Sequence, residues 1–256
     1  NLHFQEKGSF EGKLYGIVDG VIPYGVNYNK KAFEKAGIPA LPKTWDEFLA
    51  AAEKLKAAGI VPIATNFKDA WPLSVYTGSA YILANDLDYT NGWVKTDTPF
   101  TIDSPYGKTI QMLRTLVEKG YTEPDLMSTN WDGSKVDFAN AKIGMVYLGN
   151  WFSTQSLNAG GKNNPEDFGF FPMPLDNSGV NKVNLAPDWM YAINKNSKNL
   201  EVAKEFLRFI LEESGYETYA GLISPIKNKE SSDPLLKEFL ATKPEFISEN
   251  VLSDDY

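Results

Sequence analysis

Apolar residues recur along the chain at spacings that indicate both helices and strands. The clearest helical set lies three or four positions apart and consists of Trp45, Phe48, Leu49, Ala52 and Leu55. This set predicts an amphipathic helix that begins after Thr44 and ends at Gly59. Thr44 lies three residues before Glu47, which is the spacing of a capping box at a helix start. The β-branched run IVPIAT follows and predicts a buried strand.

The alternation of strands and helices continues through the rest of the chain. Further strands are predicted over KLYGIV, PYGVNYN, KIGMVYLG, FGFFPMPL and WMYAIN. Further helices are predicted over KKAFEKAG, WPLSVYTGSAYILA, residues 105–119, SKVDFANA, the stretch after Ser197 with its continuation ESGYETYAG, and residues 233–241. Asn29 and Ser197 are expected to cap two of these helices, and the helix after Ser197 carries Phe206 on its apolar face. Residues 86–103 predict a polar loop that could include a hairpin. This alternation predicts an α/β fold.

The composition narrows the classes of function. With 256 residues, of which 43% are hydrophobic and 23% charged, the chain suits one large or two small globular domains. The net charge is −8 and the lysines are scattered, which argues against nucleic acid and anionic membranes as partners. The lack of cysteine excludes thiol catalysis and Cys-bound zinc, and a single histidine, His3, argues against a Ser-His-Asp triad. We expect no cofactor and no metal.

Tryptophans stand close to carboxylate or amide side chains at four junctions between predicted elements. The junctions contain Asn66 and Asp69 near Trp71, Trp131 before Asp132, Asn150 before Trp151, and Asp188 before Trp189. A sugar ring has C–H bonds on its faces and hydroxyls on its rim, so it needs flat aromatic rings beside hydrogen-bonding groups. Ligands also bind preferentially at strand ends of open α/β sheets. Taken alone, each junction fits equally well a core tryptophan whose acidic neighbour caps a helix.

Two other kinds of site stay open from the residues alone. A glycoside hydrolase would use two carboxylates, and 33 acidic residues always offer a pair. A polyamine site would place acidic residues beside aromatic rings, which also describes Asp69 with Trp71 and Asp188 with Trp189. A peptide ligand is a further alternative. The glycines form no nucleotide-binding loop.

Six segments of the chain occur in the same order as in one known protein family. They are GKLYGI, YGVNYNKKAFEKAGI, PKTWDEFLAAAEKLKAAGIVPIA, AWPL, FANAKIGMVYLGNW and NKNSKNLEVAKEFLRFIL. Together they resemble the extracellular solute-binding proteins of sugar ABC transporters, the maltose-binding-protein-like family. The resemblance implies a two-lobe periplasmic-binding-protein-like fold with a ligand cleft between the lobes. It also implies hinge closure on a sugar, delivery to the permease subunits of an ABC importer, and no catalysis.

The same resemblance implies a set of ligand-binding residues. They are Tyr24, Asn66, Asp69, Trp71, Trp131, Asn150, Trp151, Asp188 and Trp189. The four tryptophans are expected to stack on sugar rings, and the two aspartates to accept hydrogen bonds from hydroxyls. In the family, the tryptophan of the segment GNW stands on the cleft wall, which would explain why Trp151 follows so closely after a strand.

The resemblance also divides the chain into lobes and indicates its location. The first lobe is expected to comprise residues 1–23 and 188–226, and the second lobe residues 24–187 and 227–256. The leading elements of the family's first lobe and its trailing helices have no counterpart, so we expect an incomplete first lobe. A partial chain is favoured over a trimmed chain or a partner that supplies the rest. The expected location is extracytoplasmic, in the periplasm or lipid-anchored on the outer face of the cell membrane, with the signal sequence not in this chain.

Overall fold

The computed structural model describes residues 4–128, 130–159 and 163–253. The strands in these ranges are β1 Ser9–Phe10, β2 Lys13–Leu14, β3 Ile17–Val18, β4 Val21–Asn29, β5 Val61–Ile63, β6 Ile143–Gly149, β7 Phe168–Phe171, β8 Lys182–Pro187, β9 Met190–Tyr191 and β10 Glu245–Ile247. The helices are α1 Lys30–Lys35, α2 Trp45–Ala57, α3 Ser74–Thr77, α4 Ala80–Ala84, α5 Pro105–Glu118, α6 Trp131–Ala139, α7 Trp151–Ala159, α8 Leu200–Glu212, α9 Tyr216–Tyr219 and α10 Pro234–Ala241. Within the described ranges, none of these helices is both long and apolar enough to cross a membrane.

A six-stranded mixed sheet forms the centre of the molecule. Its strands lie in the order β10-β8-β4-β6-β5, and β7 pairs with the second half of β4. β4 is central because it pairs antiparallel with β6, β7 and β8. β5 runs parallel to β6, and β10 runs parallel to β8. Parallel neighbours need long crossover connections, so helices separate these strands in the sequence. The predicted α/β class is confirmed.

Both faces of the central sheet are covered by helices. Side chains of β6 alternate between the faces, so Met145 and Tyr147 join one core cluster while Val146 and Leu148 join the other. The first cluster includes residues of α1, α2, α3 and α5. The second cluster includes residues of α6 and α7. The sheet is therefore the middle layer of a three-layer unit.

Two of the predicted helices have the side-chain caps that the sequence indicates. Oδ1 of Asn29 accepts a hydrogen bond from the N–H of Ala32 at 3.0 Å, and Oγ1 of Thr44 accepts one from the N–H of Glu47 at 3.2 Å. Oε2 of Glu47 accepts a bond from the N–H of Lys43 at 2.7 Å. In a capping box the side chain of Glu47 would instead accept this bond from the backbone N–H of Thr44. The observed donor is therefore one residue earlier in the chain than predicted.

The polar loop at residues 86–103 contains no hairpin. It forms a 3₁₀ turn at Thr90–Lys95. Bonds to the C-terminal segment hold it: the N–H of Asn250 donates to the carbonyl of Leu87 at 2.8 Å, and Nδ2 of Asn91 donates to the carbonyl of Val251 at 2.9 Å. These partners lie far away in the sequence, so the local pattern does not reveal them.

Some helical segments are interrupted or more exposed than predicted. The segment at residues 71–84 divides into a 3₁₀ turn, α3 and α4. α8 begins after Asn199, and Oγ of Ser197 accepts a bond from the N–H of Asn199 at 3.1 Å, so Ser197 does not cap α8. Phe206, on the expected apolar face of α8, is 62% exposed. The described part of the chain covers little of this face.

A two-stranded ribbon leaves the central sheet and ends in a small separate sheet. β4 pairs with β8 in the central sheet, and β3 pairs antiparallel with β9 in the small one. Two backbone hydrogen bonds span the break: the N–H of Asp19 donates to the carbonyl of Trp189 at 3.0 Å, and the N–H of Asp188 donates to the carbonyl of Gly20 at 2.9 Å. A third segment, centred on Ile223, bonds to the start of β4 in the same region.

Candidate ligand-binding cleft

An open cleft of about 880 Å³ lies where the ribbon leaves the central sheet. This volume is in the upper part of the range for small-molecule sites. The lining comes from β4, the turn before α3, helices α6, α7 and α9, and the segment after β8. The expected ligand-binding residues that line the cleft are Tyr24, Trp71, Trp131, Trp151, Asp188 and Trp189.

Trp151 lies on the cleft wall because the chain turns sharply at the end of β6. The strand ends at Gly149, and α7 begins at Trp151 with one residue between them. A Cβ atom at position 149 would lie 2.7 Å from Cδ1 of Trp151 and 2.7 Å from Cγ2 of Ile22. Only glycine leaves room for the indole ring to pack against the end of the strand.

We expect Gly149→Ala to displace the indole of Trp151. The added methyl group overlaps two side chains, so the free energy of unfolding should fall by about 1–3 kcal/mol and the tryptophan emission maximum should shift. Urea denaturation followed by fluorescence measures both effects. Gly92→Ala is the control, because a Cβ atom there meets nothing within 4 Å. Wild-type stability and emission in Gly149→Ala would show that Trp151 does not pack at this position.

Trp71, Trp131 and Trp151 form one cluster, which we call the tryptophan cluster. The ring centroids of Trp71 and Trp131 are 4.9 Å apart, and that of Trp151 is 6.1 Å from each of them. Phe152 lies next to Trp131, with the ring centroids 5.6 Å apart. Trp131 and Trp151 pack against the second core cluster, whereas Trp71 is 47% exposed. Trp71 is therefore the ring of the cluster that a ligand reaches most easily.

Lys135 covers one face of Trp131. Its Nζ lies 5.2 Å from the ring centroid and 2.8 Å from Oδ1 of Asp132. An ammonium group over an indole face is held by a cation–π attraction, and the carboxylate of Asp132 fixes it there. This face of Trp131 is closed to a ligand. Of the four tryptophans expected to stack on sugar rings, Trp131 therefore has one face covered by Lys135.

A polar stripe on α7 continues the wall from Trp151. Thr154, Gln155 and Asn158 line the cleft, and with Trp151 they occupy positions i, i+3, i+4 and i+7 of one helical face. Oγ1 of Thr154 donates to the carboxylate of Asp233 at 3.4 Å. Amides and hydroxyls on one face can bind several hydroxyl groups of an extended ligand.

The remaining lining residues come from the segment after β8 and from α9. Trp189 is 71% exposed in the open cleft, and Tyr216 and Tyr219 of α9 also line it. Among the described lining residues, Asp188 is the sole carboxylate. Burial and the nearby carboxyl of Asp19 raise the pKa of Asp188 to about 6. This side of the cleft therefore combines exposed aromatic rings with one perturbed acid.

Three of the expected residues do not line the cleft. Asn66 is fully buried, and neither its side-chain oxygen nor its nitrogen has a hydrogen-bond partner in the described residues. Asp69 is exposed to solvent outside the cleft. Asn150 is buried behind the wall, where its side-chain amide donates to the carbonyl of Gly221. Asn150 thus ties the end of β6 to the third crossing segment.

Sequence reasoning missed six of the residues that line the cleft with polar or aromatic side chains. They are Lys135, Thr154, Gln155, Asn158, Tyr216 and Tyr219. Had α7 been predicted, the spacing of its polar residues from Trp151 would have indicated three of them. The two tyrosines lie three residues apart in YETY, which places them on one face of a helical turn. No pattern in the sequence identifies Lys135.

Comparison with known proteins finds a family and several relatives. The family model described as bacterial extracellular solute-binding protein matches residues 5–217. The chain is 24% identical over 222 residues to the multiple sugar-binding protein of Streptococcus mutans, covering 85% of this chain and 52% of that protein. It is 28% identical over 219 residues to an uncharacterized ABC transporter extracellular-binding protein of Pyrococcus horikoshii, covering 83% and 47%. The chain spans about half the length of these relatives.

Solved structures show the same fold. One is a manno-oligosaccharide specific solute binding protein from Bifidobacterium animalis subsp. lactis in complex with mannotriose, with a TM-score of 0.86 and 30% identity over 99% of this chain and 61% of that chain. Another is a binding protein of an ABC transporter from the same organism in complex with mannobiose, with a TM-score of 0.86, 31% identity and the same coverage. These similarities confirm the two-lobe periplasmic-binding-protein-like fold expected from the sequence.

Proposed function

The chain belongs to the bacterial extracellular solute-binding protein family, and we propose that its cleft binds a sugar or oligosaccharide for an ABC importer. The observation that carries this proposal is the pairing of exposed tryptophan rings with hydrogen-bonding side chains in one open cleft. Trp71 and Trp189 offer flat apolar faces, and Asp188, Gln155 and Asn158 offer acceptors and donors. A sugar ring needs both kinds of group at once.

The tryptophan cluster and Trp189 have different roles in this proposal. The cluster belongs to the unit built on the central sheet, whereas Trp189 is the second residue after β8, on the segment that leads to the small sheet. A sugar that stacks on both would hold the two sides of the cleft together. Trp151 and Trp131 support Trp71 and complete the wall, and Tyr24 adds a hydroxyl from β4. Closure by a hinge would then be favoured only when a ligand is bound.

The ribbon is the proposed hinge between the lobes. We place residues 1–23 and 188–226 in the first lobe and residues 24–187 and 227–256 in the second lobe. These boundaries are supported by the sheet topology, because β4 and β8 belong to the central sheet whereas β3 and β9 form the small separate sheet. α10 packs on β7, and β10 pairs with β8, which supports placing residues 227–256 with the central sheet.

The ligand that we propose first is an oligosaccharide of two or three units. Two structural relatives that are 30% and 31% identical over 99% of this chain are complexes with mannotriose and mannobiose, respectively. The cleft volume suits a ligand larger than one ring, and the polar stripe on α7 extends the wall beyond Trp151. Manno-oligosaccharides are therefore the first ligands to test.

The partner and the location follow from the family. A solute-binding receptor delivers its ligand to the permease subunits of an ABC importer, and we propose such subunits as the protein partner. The family is described as extracellular, so the protein acts outside the cytoplasm. A lipid anchor on the outer face of the cell membrane is part of the proposal for the whole protein.

The structure disfavours a glycoside hydrolase. Glycoside hydrolysis normally needs two carboxylates that flank the scissile bond. Asp188 is the one acidic side chain among the described residues that line the cleft, and its neighbour Asp19 is 3% exposed and does not line it. A polyamine is also less well matched, because its several ammonium groups would need more than one accessible carboxylate.

The proposal is tested by intrinsic fluorescence during titration with mannobiose, mannotriose, raffinose, chitin oligosaccharides and spermidine. We expect a saturable change with at least one sugar that is little affected by salt. The change should be retained in Trp45→Phe, because Trp45 packs on the first core cluster and not in the cleft. Binding of spermidine that weakens as salt rises would favour the polyamine site instead. Turnover of a chromogenic glycoside would favour the hydrolase.

A further inference from the structure

Asp19 and Asp188 form a carboxyl pair at the break in the ribbon. Asp19 lies between β3 and β4, Asp188 lies between β8 and β9, and the two backbone hydrogen bonds that span the break hold their main chains side by side. Asp188 lines the cleft, whereas Asp19 is buried behind it. No well-aligned hydrogen bond reaches either carboxylate oxygen of Asp19 in the described residues, although the hydroxyl of Tyr191 lies close enough to lower the pKa of Asp19. The pair therefore has one accessible member and one hidden member.

Among the residues that the structure describes, the ionisable groups that act on this pair supply no positive charge. The ionisable groups that act on it are Tyr24 from β4, Tyr191 from β9 and Tyr216 from α9, together with the two carboxyls themselves. Glu217 of α9 is paired with a lysine from a later loop, since Lys229 Nζ lies 2.5 Å from Oε1 of Glu217. Burial raises the pKa of Asp19, and the charge of Asp19 contributes to the raised pKa of Asp188.

We propose that Asp19, without touching the ligand, is a positioning residue that sets the charge state of Asp188 and so makes sugar binding sensitive to pH. This inference rests on the proposed function for its ligand. An ionised Asp188 can accept hydrogen bonds from two sugar hydroxyls, whereas the protonated form carries a hydrogen on one oxygen and loses an acceptor. Binding therefore favours the ionised form, and affinity falls as the pair takes up a proton.

The coupling between the two carboxyls can be measured without a ligand. NMR titration of the side-chain carboxyl carbons should show Asp188 changing its charge near pH 6 in the wild type. In Asp19→Asn, which keeps the side-chain shape and removes the charge, the midpoint should fall by roughly one pH unit. An Asp188 midpoint near the ordinary value of 3.8, or one that Asp19→Asn leaves unchanged, would overturn the inference.

The consequence for binding is measured by calorimetric titration with mannotriose between pH 5 and pH 8. We expect the wild-type affinity to fall by about tenfold from pH 7.5 to pH 5. In Asp19→Asn the fall should begin roughly one pH unit lower, with the affinity at pH 7.5 nearly unchanged. Asp188→Asn should bind at least tenfold more weakly and lose this pH dependence.

The outcomes separate this inference from the proposed function. Binding with the same pH profile in the wild type and Asp19→Asn would contradict the role of Asp19 and leave the sugar receptor intact. A second outcome is that no sugar binds while NMR still shows the expected shift of the Asp188 midpoint in Asp19→Asn. This outcome would contradict the proposed sugar-binding function and leave the coupling between the two carboxyls intact. A merely structural role of Asp19 would change stability but not the midpoint of Asp188.

The same pair predicts how stability depends on pH. The pKa of Asp19 in the folded state is raised above its ordinary value of 3.8. The protonated form is therefore favoured by folding, and this contribution is lost as the pH rises through the folded pKa. We expect Asp19→Asn to raise the melting temperature by ~2–4 °C at pH 7.5 and to have little effect at pH 3.5. Thermal unfolding by circular dichroism at both values is the measurement. A lower melting temperature at pH 7.5 would show that the charge of Asp19 is compensated in the fold.

Discussion

Replacing both Trp71 and Trp189 with alanine is expected to abolish detectable sugar binding while the protein stays folded. The two rings are 47% and 71% exposed, so their removal opens no cavity in the core. Exposed substitutions usually change the free energy of unfolding by less than about 0.5 kcal/mol. Each ring should contribute about 2 kcal/mol to binding, as buried aromatic anchors do in binding sites. Together they should weaken binding by roughly 1000-fold.

Calorimetric titration is the measurement for this pair, because removing tryptophans changes the fluorescence signal itself. Tyr15→Ala is the matched control, since Tyr15 is also an exposed aromatic residue but lies outside the cleft. The control should bind like the wild type. Wild-type affinity in the double variant would show that these rings do not stack on the ligand. A loss with Trp71→Ala but not with Trp189→Ala would place the sugar on the tryptophan cluster alone.

The parts of the fold that sequence predicts well are those whose signals are local. The helix after Thr44 has its cap, its apolar spacing and its terminating glycine within 16 residues, and the structure contains all three. α7 was not predicted because its buried face carries serines. Oγ of Ser153 donates to Oδ1 of Asn27, and Oγ of Ser156 donates to the carbonyl of Phe152. Buried hydroxyls with such partners conceal the apolar period of a helix.

β8 and β10 were missed for a different reason. In β8 only Val183 is fully buried, so the strand has little apolar signal of its own. Its place depends on pairing with β4 and β10, which lie far away in the sequence. Strand pairing of this kind is a tertiary property, and single-sequence patterns detect it poorly.

Which of the residues expected to bind a ligand share one surface depends on backbone directions that a sequence does not show. Six expected residues meet in one cleft, although they come from five separate stretches of chain. Asn66 and Asp69 are near Trp71 in sequence but do not share the cleft with it. Asn66 and Ala70 both have positive φ, at 50° and 62°, so the chain turns twice between them. Closeness in sequence therefore does not imply a shared surface.

The cleft also depends on the core beneath it, and Phe152→Ala should reveal this dependence. Phe152 is completely buried in α7, with its ring centroid 5.6 Å from that of Trp131 and 5.2 Å from that of Phe138. Removing a buried phenylalanine typically costs about 3–5 kcal/mol, because the cavity closes only in part. Proteins of this kind have a total stability of about 5–15 kcal/mol, so the loss is a large share of it.

Urea unfolding of Phe152→Ala should accordingly show a midpoint far below that of the wild type. Phe206→Ala is the matched control, because it makes the same substitution in another helix, α8, at a side chain that is largely exposed. We expect this control to change the free energy of unfolding by less than about 0.5 kcal/mol. Because both changes occur in helices, the gain in helix propensity cancels from the comparison. Phe152 also supports Trp131, so any folded Phe152→Ala protein should bind sugar more weakly. Equal stability of the two variants would contradict the packing of Phe152 in the second core cluster, and with it the proposed support of the tryptophan cluster by Phe152.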